Sequence, residues 1–100
     1  MRAIVVLTGR EGAVPADFAP LQAEEARHVW ALQGTGQIRA IHFRADRLGV
    51  VIEMEVATAE EAEAVVRALP MVQAGLLAAE VIPLRPFTGL EVLFAPEHRA

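Results

Sequence analysis

The chain has 100 residues, 54% apolar and 5% aromatic, with 9 basic and 13 acidic side chains and a net charge of -4; one domain over residues 1–95, with 96–100 as a flexible tail, is expected at this length. Cys, Ser, Lys, Asn and Tyr are absent, which removes a Ser or Cys nucleophile, a Schiff-base lysine, a tyrosine acid, a disulfide framework and any Cys-ligated metal. Every basic residue is a scattered Arg and no apolar run approaches ~18 residues, which argues against nucleic acid and membrane as partners and for a soluble cytoplasmic protein.

Residues 3–7, Ala-Ile-Val-Val-Leu, form a short branched run bounded by Gly9 and predict a strand buried on both sides. Residues 10–16 contain Gly12 and Pro15 and predict a loop. Asp17 can cap a helix that tolerates Pro20 in its first turn. Leu21, Val29 and Leu32 fit one stripe of that helix, Ala26 and Trp30 widen it, and Gly34 and Gly36 end it. A second strand is predicted over 38–44, a turn over 46–49 and a third strand over 50–56. Thr58, with Glu61 three residues on, matches a capping box. Ala62, Val65, Val66 and Leu69 form the stripe of the second helix, and Pro70 stops or kinks it. Residues 71–77 link to a fourth strand over 80–84, where Pro83 suggests an edge or a bulge. Residues 90–94 fit a short fifth strand.

The order strand, helix, strand, strand, helix, strand is that of an α+β ferredoxin-like βαββαβ sandwich, here with an extra C-terminal strand. Right-handed crossovers place both helices on one face of the sheet. The chain has no helix left for the other face, so a homodimer is expected.

A hairpin closed near Asp46 and Arg47 pairs Arg44 with Gly49, His42 with Val51, Ala40 with Glu53 and Ile38 with Glu55. Directly opposed residues share a face. One face then holds Ile41, Phe43, Val50, Ile52, Met54 and Val56 and packs under the helices. The other holds Ile38, Ala40, His42, Arg44, Val51, Glu53 and Glu55, and a slip of one residue destroys this sorting. In a space between two sheets, His42 can shuttle a proton. Glu53 or Glu55 can act as general base if burial raises its pKa. Arg44 can hold a substrate carboxylate in a forked contact. The competing reading is that these strands face solvent, or that Arg44 and a Glu pair at an interface.

Glu24 and His28 lie four residues apart and fit a helix-surface ion pair. Trp30 can wall a pocket, or anchor a core or interface. Glu24, His28 and His42 match no metal-ligand spacing, so no metal is expected. Gly34-Thr35-Gly36 lacks the length and the Lys of a phosphate loop. His98 lies near the chain end and carries little weight.

Several residues together resemble the muconolactone isomerase-like group of the dimeric α+β barrel superfamily. The resemblance runs over residues 24–84. It is carried by Leu32 with Gly36, Arg39 entering the second strand, the acidic start of the second helix, and Leu69-Pro70 followed by Glu80-Val81. The run Leu69-Pro70-Met71-Val72-Gln73-Ala74-Gly75-Leu76, and Pro86-Phe87-Thr88-Gly89-Leu90-Glu91-Val92-Leu93-Phe94 beyond it, look like small uncharacterised members of this group. The resemblance implies ferredoxin-like subunits packed sheet to sheet as a dimeric α+β barrel, or as a higher homo-oligomer, with no cofactor.

For this chain it implies a cofactor-free isomerase that shifts a double bond in a small carboxylated lactone or related organic acid. The hairpin register itself offers His42, Glu53 and Glu55 as catalytic candidates, with Arg44, and Trp30 of the first helix, as substrate-binding ones. Arg39 is the candidate substrate-binding residue that matches a position of the family, and it does not share the face of His42. Shared fold does not decide the reaction. A non-catalytic small-molecule-binding module and a structural dimer remain the alternatives. An open pocket in which His42 and a Glu converge would separate them.

Overall fold

A computed structural model describes residues 1–95. Four strands, β1 (Arg2–Gly9), β2 (Ile38–Phe43), β3 (Gly49–Glu55) and β4 (Leu77–Pro83), form an antiparallel sheet in the order β2-β3-β1-β4. This is the ferredoxin-like strand order. The sheet is open, with β2 and β4 as its two edges separated by β3 and β1. The expected barrel is therefore not the architecture of this chain.

The expected fifth strand is also replaced. Residues Gly89–Phe94 form a 3-10 helix, closed by the Glu91 N–H donating to the Thr88 carbonyl at 3.0 Å. Pro86 just before it has no N–H to give to a ladder. The expected tail over 96–100 and His98 lie outside the described residues.

Burial along β1 alternates: Ala3, Val5 and Leu7 are buried, and Arg2, Ile4 and Val6 are half-buried. The strand is thus covered on one face only, and its unbroken apolar run misled the expectation of two covered faces. Gly49 lets β3 approach β1 closely, because a Cβ there would collide with the Leu7 carbonyl.

The first helical region is broken in two. α1 (Pro15–Phe18) runs through a 3-10 turn at Ala19–Leu21 into α2 (Gln22–Gly34). Asp17 does not cap from outside the helix. It sits in the first turn and accepts the Val14 N–H at 2.9 Å. Gly36 takes the positive φ, 83°, that ends this region.

α3 (Ala59–Arg67) starts as the sequence predicts, with the Thr58 hydroxyl accepting the Glu61 N–H at 3.1 Å. The returning carboxylate of Glu61 accepts from the Ala57 N–H, at 2.6 Å, rather than from Thr58. Leu69 then turns extended and Pro70 opens a single helical turn, α4 (Pro70–Gln73).

In the β2–β3 hairpin, Ala40 opposes Glu53, His42 opposes Val51, and the Arg44 N–H donates to Gly49. A bulge between Ile38 and Ala40 shifts the rest. Ile38 opposes Met54, not Glu55, and is buried at 3% exposure. The extra residue turns an apolar side chain that the plain register exposes back into the core. The core joins Ala3, Val5, Leu7, Ile52 and Met54 of the sheet to Ala62 and Val66 of α3 and to Leu69.

Candidate functional site

Leu21, at the end of the 3-10 turn, and Glu25, Val29 and Leu32 of α2 form one stripe toward the sheet, spaced four, four and three residues apart. All four are half-buried. This stripe does not close onto the strands. Between it and the covered face of the sheet lies a cavity of about 480 Å³. Ile41, Val50 and Ile52 floor it, Phe18 and Val29 wall it, and Phe43 and Leu48 stand at its sides. Its volume falls within the range of small-molecule sites.

Among the described residues Glu25 is the only carboxylate that lines this cavity, and Gln22, one turn earlier on α2, lines it too. The Met71 N–H, in the first turn of α4, has no partner within that turn. It donates instead to Glu25 Oε1 at 3.0 Å, which ties α2 to α4. Burial pushes the Glu25 carboxyl above its ordinary pKa. The Met71 N–H and the charge of His28 pull it down, and the charge of Glu24 pushes it up. Burial is the largest of these effects, so the carboxylate is a stronger base than a solvated one.

The residues singled out in the sequence lie mostly on the other, open face. Glu53 opposes Ile4 and pairs with Arg2. Glu55 opposes Arg2, accepts the N-terminal amine at 2.6 Å and meets Arg2 Nε at 3.3 Å. The bond from the N-terminal amine is the main reason its pKa is lowered, helped by the charges of that amine and Arg2.

His42 is exposed on edge strand β2. Through Val51 it is a diagonal neighbour of Glu53, about 7–8 Å away by sheet geometry. It also borders the cavity, between Ile41 and Phe43. Arg44 stands at the far end of the open face. It forks onto Asp46 at 3.0 and 2.8 Å and donates to the Thr8 hydroxyl at 2.9 Å. Bonding to Asp46 raises the Arg44 pKa and lowers that of Asp46.

Arg39 sits at the bulge, beside Gly36. Trp30 is 78% exposed on α2. The structure therefore brings Glu53, Glu55 and His42 onto one face, leaves Arg44 at its far end, and separates Arg39 and Trp30 from them.

Glu25 was not singled out by sequence reasoning. Its signal was present: it occupies the sheet-facing stripe four residues after Leu21 and four before Val29, where an apolar residue is expected. Among the described residues, no cluster of three or more His, Cys, Asp or Glu could hold a metal ion. Among the same residues, no helix is long and apolar enough to cross a membrane.

No protein-family model matches the sequence, and no curated protein matches it. Eleven chains of solved structures do match. One is the 5-chloro-2-hydroxyhydroquinone dehydrochlorinase from Burkholderia phenoliruptrix AC1100 in complex with 2,5-dihydroxybenzoquinone. It is 18% identical, with a TM-score of 0.73, and the match covers 89% of this chain and 98% of that one. Another is a muconolactone isomerase, 22% identical with a TM-score of 0.70, covering 88% of this chain and 92% of that one. At these identities the similarity is one of fold.

Proposed function

We propose that the chain binds a small unsaturated cyclic carbonyl compound in the cavity under α2 and shifts its double bond by proton transfer, without a cofactor. The observation that carries this reading is Glu25, a carboxylate whose proton affinity burial has raised, facing a cavity lined almost wholly by apolar groups. Such a base matches its task better than a solvated glutamate does.

In the reaction Glu25 takes the proton beside the carbonyl. The C–H electron pair moves into the enolate, and the resulting carboxylic acid returns the proton at the far end of the conjugated system. The carboxylate is regenerated and nothing is oxidised. Gln22, on the same helix face three residues earlier, is placed to donate its amide N–H to the developing oxyanion.

Among the described residues no arginine lines the cavity, and Arg44 already forks onto Asp46. The expected carboxylated substrate is accordingly narrowed to an uncharged lactone or enone. The two similar structures are named for unsaturated oxygen-bearing ring compounds, which supports this class.

The test is the conversion of α-angelica lactone to β-angelica lactone in heavy water, followed by NMR. The wild-type chain should accelerate the shift, and Glu25→Gln should lose ~100-fold or more. An unchanged rate in Glu25→Gln rejects the assignment. The second reading, a binding module without chemistry, is favoured by the scarcity of polar groups in the cavity. Saturable lactone binding with no shift of the double bond would select it.

A further inference from the structure

The cavity under α2 has two unlike ends. Glu25 accepts the Met71 N–H of α4, and α4 packs against β4. The carboxylate therefore stands at the β4 end, where Leu69 and Leu77, 1% and 5% exposed, line the wall. Phe43 and Leu48 mark the other end, 89% and 40% exposed. Phe43 lies on β2, the opposite edge of the sheet, three strand spacings from β4. The cavity is thus a trough ~14 Å long that runs across the strands. Leu7 opposes Val50, and Val50 opposes Phe43, so these side chains form an apolar row along it.

The double-bond shift uses only the Glu25 end. At a water's ~30 Å³ for each of its seven non-hydrogen atoms, α-angelica lactone fills ~200 Å³ at most. The cavity holds about 480 Å³. A ring held at Glu25 and Gln22 leaves the stretch from Val50 to Phe43 uncovered. Ile41, Val50, Phe43 and Leu48 line that stretch, and His42 beside them opposes Val51 on the open face. These apolar side chains offer a polar substituent no partner, whereas each methylene laid on them leaves water.

A five-membered lactone ring takes up about 5 Å of the trough, and a staggered alkyl chain advances ~1.3 Å per carbon, so about six to eight carbons fill the rest. Ring and chain together then occupy ~400 Å³ by the same measure, within the cavity volume. We propose that the substrate is an unsaturated lactone or enone carrying a linear alkyl chain of about that length, its ring at Glu25 and its chain lying along Val50 to Phe43 and Leu48. The inference rests on the reading of Glu25 as the base, and adds that Val50 and Leu48 set which substituent is accepted.

The test is calorimetric titration of the full chain with saturated γ-lactones bearing methyl, butyl, hexyl, octyl and decyl chains. These ligands have no double bond to shift, so their binding reads the trough alone. Affinity should rise ~threefold per methylene up to hexyl and level off by decyl, where the chain passes Phe43 into solvent. Val50→Phe and Leu48→Trp fill the path of the chain and should each cut the gain from methyl to hexyl at least ~tenfold. Leu48→Trp, at a partly exposed site, carries the test should Val50→Phe fail to fold. An affinity independent of chain length, a loss beyond butyl, a rise that continues through decyl, or a full gain in the folded variants would overturn the proposal. Chain-length selection can fail while the lactone shift persists, and can hold in a protein that shifts no double bond, so the titration and the lactone assay fail separately.

Discussion

Glu25 and Glu55 are the same side chain on opposite sides of one sheet, and their environments drive them in opposite directions. Under α2, burial raises the Glu25 carboxyl. On the open face, the N-terminal amine and Arg2 lower that of Glu55. The first is left a base with an apolar cavity in front of it. The second is an ionised group whose lone pairs already face cations, with Glu53 paired to the same Arg2. Environment separates a group suited to moving protons from one suited to pairing with charge.

The largest effect should come from the floor shared by core and cavity. Ile52, 1% exposed beneath α2, should cost ~2–5 kcal/mol on replacement by Ala. Val51, the next residue and on the open face, should cost about 1 kcal/mol or less in the isolated chain. Urea unfolding of both variants measures the contrast, and equal losses would break it.

Next comes chemistry. Glu25→Gln should slow the lactone shift ~100-fold or more, and Glu53→Gln should leave it within a few-fold. The reverse ranking would move the site to the open face.

A smaller effect concerns pH. A raised folded-state pKa means that stability linked to protonated Glu25 is fully present below the unfolded glutamate value of 4.5 and is lost as pH rises through the folded value. Urea midpoints should therefore show Glu25→Gln gaining on the wild type between pH 4 and pH 7. Glu55 has the opposite sign. Its lowered pKa contributes stability present above 4.5 and lost as pH falls through the folded value. Glu55→Gln should accordingly lose slightly at neutral pH, and salt should shrink the loss because these charges are exposed. This is the smallest change expected.

The path from sequence to structure was clear where the pattern was local. Strand order, the Thr58 start of α3 and three pairs of the β2–β3 hairpin follow from apolar period and cap chemistry. The bulge at Arg39 left no local mark, and it alone moved Ile38 from the open face to the core. The stretch 90–94 has the apolar content of a strand, but the preceding Pro86 and the turn at Thr88 set it as a 3-10 helix.

For the site, the polar residues that stand out in the sequence are those of the β2–β3 hairpin, and they lie mostly on the open face. The informative anomaly was a single carboxylate in the apolar stripe of α2. The sequence order alone does not reveal that α2 stands off the sheet far enough to leave a cavity, since that spacing depends on α1, α4 and the strands together.

The most direct test is to map the lactone site by amide NMR during a titration with α-angelica lactone. The account predicts saturable shifts at Glu25, Met71 and Ile52, lost in Glu25→Gln or in a variant that fills the cavity, with little change at Arg2, Glu53 and Glu55. Saturable shifts centred on Arg2, Glu53 and Glu55, with Glu25 and Met71 unmoved, would contradict it.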